Sequence, residues 1–130
     1  MTAELTLLAW TLVLAIVQIL LPAMWRNRET GIDYNTGPRD EPGPPMGKIT
    51  ARLFRAQRNL FETLPLFIGA ILIAHVGGQT GALTLWGAWL YFLARVVYVP
   101  LYALGIPWIR SMVWVVALLG LGLVLLAILF

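Results

Sequence analysis

A small set of residues in this chain carries side chains able to handle charge in otherwise greasy surroundings. Arg55, Asn59 and Glu62 recur at i, i+4, i+7, a spacing that puts all of them on one face of an α-helix. Tyr91, Arg95, Tyr98 and Tyr102 recur at i, i+4, i+7, i+11, so three phenols and a guanidinium share a second stripe. Two such stripes have reason to face each other. An arginine at the centre of a membrane helix costs about 2.5–3.5 kcal/mol on insertion scales, so each one demands a partner or a function. Arg26 or Arg28, Arg55, Arg58, Arg95 and Arg110 stand against a single embedded acid, Glu62. That balance suits an anion. Guanidinium forks grip carboxylates in bidentate fashion, and Glu62 is left for a ligand's ammonium group. A small zwitterion with two carboxylates and an amine fits, and glutathione is the obvious cytoplasmic candidate.

Each feature also has a plainer account. Glu62 and one arginine can neutralise each other and fasten two helices together. Tyrosines gather at membrane interfaces as an aromatic belt, although a belt needs a common depth and not a common helical face. Arg110 can be a topogenic charge flanking a span.

The elements that must position these residues are membrane helices. The chain is 60% hydrophobic and only 12% charged, too apolar for a soluble domain of this length. Residues 1–130 form a single domain with four apolar spans at about 5–24, 50–76, 82–104 and 109–130, each near the roughly 20 residues that a bilayer crossing requires. The expected fold is therefore all-α, an integral membrane four-helix bundle. Between the first two spans, residues 25–47 mix charges with Pro38, Pro42, Pro44, Pro45 and four glycines, which predicts a loop without regular structure. Pro65 lies inside the second helix, where membrane bundles tolerate it. Seven of the nine Lys and Arg residues fall between Arg26 and Arg58, and Arg110 flanks the third connection. The first and third loops are accordingly expected on the cytoplasmic side, with both termini opposite.

Composition also excludes several chemistries. With no cysteine there is no disulfide framework, thiolate metal site or cysteine nucleophile. The single histidine, His75, cannot build a zinc site alone and marks a helix end near the membrane surface. No basic stripe stands free of the apolar segments, so nucleic acid is not an expected partner. A small multidrug transporter would need an acid within the first span, and Leu5 to Met24 contains none.

The stretch Arg55-Ala56-Gln57-Arg58-Asn59-Leu60-Phe61-Glu62-Thr63-Leu64-Pro65 resembles the second-helix signature of MAPEG, the membrane-associated proteins in eicosanoid and glutathione metabolism. The run Arg95-Val96-Val97-Tyr98, then Tyr102 and Pro107-Trp108-Ile109-Arg110-Ser111, is similar to the family segment that ends in a catalytic arginine and a serine. The resemblance implies a homotrimer that binds glutathione between neighbouring subunits near the cytoplasmic face. It implies that Arg55, Asn59, Glu62 and Tyr98 hold the tripeptide, with Gln57, Arg58 and Tyr102 beside them, and that Arg110 stabilises the thiolate. An arginine closing the first helix, Arg26 or Arg28, joins the site in such proteins. The implied activity is that of a glutathione-dependent transferase or peroxidase acting on a lipophilic substrate taken from membrane lipid. The alternative within the same fold is a non-catalytic lipid-binding scaffold. The spacing is most similar to bacterial members, which implies a location in the inner membrane.

Overall fold

A computed structural model describes all 130 residues. Four long helices carry the fold: α1 over Ala3–Thr30, α3 over Lys48–Val76, α4 over Ala82–Ala103 and α5 over Pro107–Leu129. A short helix, α2, covers Ile32–Thr36. All four long helices have the length and apolar content to cross a membrane. Helices α3 and α4 are central, with α1 packed against both; α5 packs on α4 most extensively and also on α3.

The segment between the first two spans differs from the expected irregular loop. Helix α1 does not stop where the apolar run ends at Met24 but continues to Thr30, because no glycine or proline interrupts it before Gly31, which adopts φ +86°. Helix α2 follows at once. Tertiary hydrogen bonds then fold the proline-rich run back over the helix ends. The Arg26 guanidinium donates to the Pro44 carbonyl at 2.6 Å and pairs with Glu29 at 3.0 Å. The other Glu29 carboxylate oxygen accepts from the Gly47 N–H and the Thr50 hydroxyl, both at 2.9 Å, so α1 supplies the cap that α3 lacks in its own sequence. The Tyr34 hydroxyl donates to the Glu41 carbonyl at 2.7 Å and accepts from the Gly43 N–H at 2.8 Å.

The core is divided along the length of the bundle. Toward the α3–α4 turn it is apolar: Leu7 and Leu8 of α1, Phe67 and Ile71 of α3, Ala88 of α4 and Leu121 and Val124 of α5 belong to one buried cluster. Helices α4 and α5 touch there backbone to backbone. A Cβ on Gly87 would lie 2.5 Å from the Gly120 carbonyl oxygen, and one on Gly120 would lie 2.6 Å from that of Gly87. Many large apolar side chains, among them Ile16, Leu66, Leu93 and Leu119, remain exposed on the outside, as a lipid-facing surface requires. Pro22, Pro65 and Pro100 all lie within continuous helices. His75 is exposed in the last turn of α3.

Candidate functional site: an arginine-lined cavity at one end of the bundle

At the opposite end, toward the α1–α3 segment, polar residues replace the apolar core. A cavity of about 450 Å³ opens between α3, α4 and α5. Its α3 wall is Arg55, Arg58, Asn59 and Glu62; Tyr98 and Tyr102 come from α4, and Arg110, Ser111 and Trp114 from α5. The periodicity explains the grouping: residues separated by three or four positions along each helix project to the same side, and the packing turns those sides inward.

The two polar stripes do face each other. Arg95 donates to the Asn59 side-chain oxygen at 2.7 Å, and the hydroxyls of Tyr91 and Thr63 are 2.8 Å apart. Tyr91 and Tyr98 are buried, so they are not an interfacial belt; Tyr91 stacks on Phe67 with ring centroids 4.1 Å apart. The Arg110 guanidinium lies 4.6 Å from the Tyr102 ring centroid, and Arg55 lies 5.9 Å from the same ring on its α3 side. Tyr102 thus lies within cation–π reach of two cavity arginines.

The charges in the cavity have no internal partners. The only ion pair in the chain is Arg26–Glu29, at the end of α1. Glu62 makes neither an ion pair nor a side-chain hydrogen bond with any residue, so the helix-fastening account of this acid finds no support in the geometry. Three guanidiniums, those of Arg55, Arg58 and Arg110, line one cavity with a single carboxylate among them.

Four of the candidate residues from the sequence, Arg95, Gln57, Arg26 and Arg28, stand elsewhere. Arg95 is fully buried and does not line the cavity. It sits behind the wall, bonded to Asn59 and 4.5 Å from the Tyr98 ring centroid, so it supports two lining residues. Gln57 lines not this cavity but a second cleft, which Met46, Ala51 and Phe54 share with Arg55 and Arg58. Arg26 is held by Glu29 and the Pro44 carbonyl, while Arg28 lies over Trp25 at 4.9 Å. Conversely, Ser111 and Trp114 line the cavity although the charge pattern does not single them out as binding residues. The available signal was helical spacing, since Trp114 follows Arg110 by one turn.

A polytopic helical bundle with an anion-receptive cavity at one end is the class of protein that fold and site define. The chain belongs to the MAPEG family, whose family model matches residues 7–130, nearly its full length. Members of that family use glutathione, and they include transferases and peroxidases as well as proteins without catalytic activity. No curated protein matches the chain.

Proposed function

We propose that this protein is a membrane-bound, glutathione-dependent transferase or peroxidase acting on a lipophilic electrophile. The observation that carries the proposal is the uncompensated charge of the cavity, where Arg55, Arg58 and Arg110 surround a Glu62 that no residue neutralises. Arg55, Arg58 and Glu62 are exposed and Arg110 is half-buried, so these charges are open to a guest and are not already spent on one another. Glutathione has the complementary set: two carboxylates for the arginines, an ammonium group for Glu62, and amides within reach of Asn59 and the tyrosine hydroxyls.

In this reading Arg55, Asn59, Glu62 and Tyr98 bind the tripeptide, with Arg58 and Tyr102 beside them. Arg110 holds negative charge on the sulfur. A free thiol with a pKa near 8.5 is only a few per cent ionised at neutral pH, and lowering it by about two units, equivalent to about 2.7 kcal/mol, makes the thiolate the main species. A guanidinium that the bound tripeptide shields from bulk water is of the right strength for that shift. The resulting thiolate meets an electrophile or peroxide arriving from the bilayer beside Trp114, and no protein nucleophile is needed. Gln57 and either Arg26 or Arg28 face away from the cavity of their own chain, which supports their belonging to the site of a neighbouring copy in a homotrimer. The gathering of Lys and Arg at the cavity end supports a cytoplasmic position for it, with both termini opposite.

Titration calorimetry of the purified protein with glutathione tests the proposal. Saturable binding that weakens in Arg55→Ala and Glu62→Gln is expected. Absence of binding at millimolar glutathione would leave the non-catalytic, lipid-binding member of the same fold as the reading to adopt.

A further inference from the structure

Arg52 lies on α3 one turn before Arg55, yet it turns away from the cavity toward the connection between α4 and α5. Its guanidinium donates to the Ala103 carbonyl at 3.2 Å, one of the C-terminal carbonyls that α4 cannot satisfy internally. A cation is favoured there by the helix dipole as well. The same guanidinium rests against Gly105. A Cβ on that glycine would lie 2.8 Å from the central guanidinium carbon and 2.9 Å and 3.0 Å from its two terminal nitrogens. Gly105 also adopts φ +72°, which side-chain-bearing residues rarely accept. The glycine therefore serves both the turn and the arginine that docks on it.

The connection is short and stiff. Gly105 N–H donates to the Tyr102 carbonyl at 3.0 Å, Ile106 N–H to that of Leu101 at 3.1 Å, and α5 begins at Pro107, whose fixed φ suits a first helical position. Arg110 follows in the first turn of α5. A displacement at Ala103 or Gly105 is thus handed on to Arg110 with little slack. Arg52 and the α3 residues of the cavity belong to one rigid helix, so the clamp measures the distance from the α3 wall to the α5 wall.

We propose that Arg52 is a positioning residue: by clamping the α4–α5 turn it holds the Arg110 guanidinium at the place in the cavity where the glutathione sulfur is ionised. This rests on the function proposed above. Arg52 itself touches no ligand, and its effect falls on the sulfur's ionisation while the α3 contacts that hold the tripeptide stay in place.

The test is a pH titration of the thiolate absorbance of bound glutathione, run with calorimetric affinity on wild type, Arg52→Met, Arg52→Lys and Gly105→Ala. Arg52→Met raises the ionisation midpoint by about one pH unit, a tenfold fall in the thiolate-to-thiol ratio, while the linked loss of affinity at neutral pH stays near about threefold. Arg52→Lys, which keeps a donor and a charge, recovers part of the shift. Gly105→Ala retains Arg52 but fills its seat, and moves the midpoint in the same direction; this variant carries the test if Arg52→Met does not fold. An unmoved midpoint in the folded variants overturns the inference, and so does an affinity loss of about tenfold or more, which exceeds what the shifted ionisation accounts for and marks a direct ligand contact. If the wild type binds glutathione without ionising it, the catalytic proposal fails and takes the inference with it. A wild type that ionises glutathione beside variants that do so equally well removes the inference alone.

Discussion

Substituting the glycine at the α4–α5 crossing gives a prediction whose sign depends on one residue's position. A Cβ at position 120 would meet the Gly87 carbonyl oxygen at 2.6 Å and the Tyr91 backbone nitrogen at 2.7 Å, against ordinary contacts of 3.4–4 Å. Both obstacles are backbone atoms, so no rotamer change relieves them and the helices must part by the better part of an ångström. Overpacking of this kind costs about 1–3 kcal/mol, and Gly120→Ala should fall in that range. Gly120→Leu should exceed it. Gly122 lies in the same helix with nothing within 4 Å of its Cβ position. There alanine should be neutral, or stabilising by up to about 1 kcal/mol through helix propensity. Thermal denaturation in detergent, followed by circular dichroism, reads both, with about 2–8 °C of shift per kcal/mol for domains near this size. Equal melting temperatures for Gly120→Leu and wild type, or destabilisation by Gly122→Ala matching that by Gly120→Ala, would refute the reasoning from close approach.

Two further outcomes follow from the site. Arg95→Met removes a charge-assisted hydrogen bond to Asn59 but also a buried cation with two unpartnered nitrogens, so the opposing effects leave stability within about 1 kcal/mol of wild type. Glutathione affinity should nevertheless fall about tenfold as Asn59 and Tyr98 lose their support; a large loss of melting temperature with unchanged calorimetric affinity contradicts this. Glu62→Gln should weaken glutathione without destabilising the fold, because Glu62 has no internal partner to lose. N-acetylglutathione, which lacks the ammonium group, should bind wild type and Glu62→Gln alike, and a preserved preference for wild type would move Glu62 out of the amine-binding role.

Much of the architecture was legible because membrane helices announce themselves locally. Length and apolarity locate the four spans, and the i, i+4, i+7 spacing of Arg55, Asn59 and Glu62 identifies the face that meets the α4 stripe. What spacing does not distinguish is a residue that lines a cavity from one that stands behind it. Arg95 and Arg55 occupy comparable stripe positions, yet Arg95 is fully buried and Arg55 is exposed to the cavity. The folded segment between α1 and α3 was illegible for another reason. Its order comes from side-chain bonds between residues 18 apart, Arg26 to Pro44 and Glu29 to Gly47, which no local pattern encodes. Gly87 and Gly120 were silent too, since a helical glycine looks the same whether it faces lipid, as an unused space, or a neighbouring backbone. Arg52 resembled any other basic residue flanking a span until the α4–α5 turn came to rest on it.

The central claim is that the arginine-lined cavity ionises a glutathione thiol, and the most direct measurement is the ultraviolet thiolate signal of glutathione bound to wild type and to Arg110→Ala. The account predicts a strong signal at neutral pH in the wild type and its loss in the variant, with tripeptide binding retained. Equal signals in the two proteins, or none in a wild type saturated with glutathione, would contradict it.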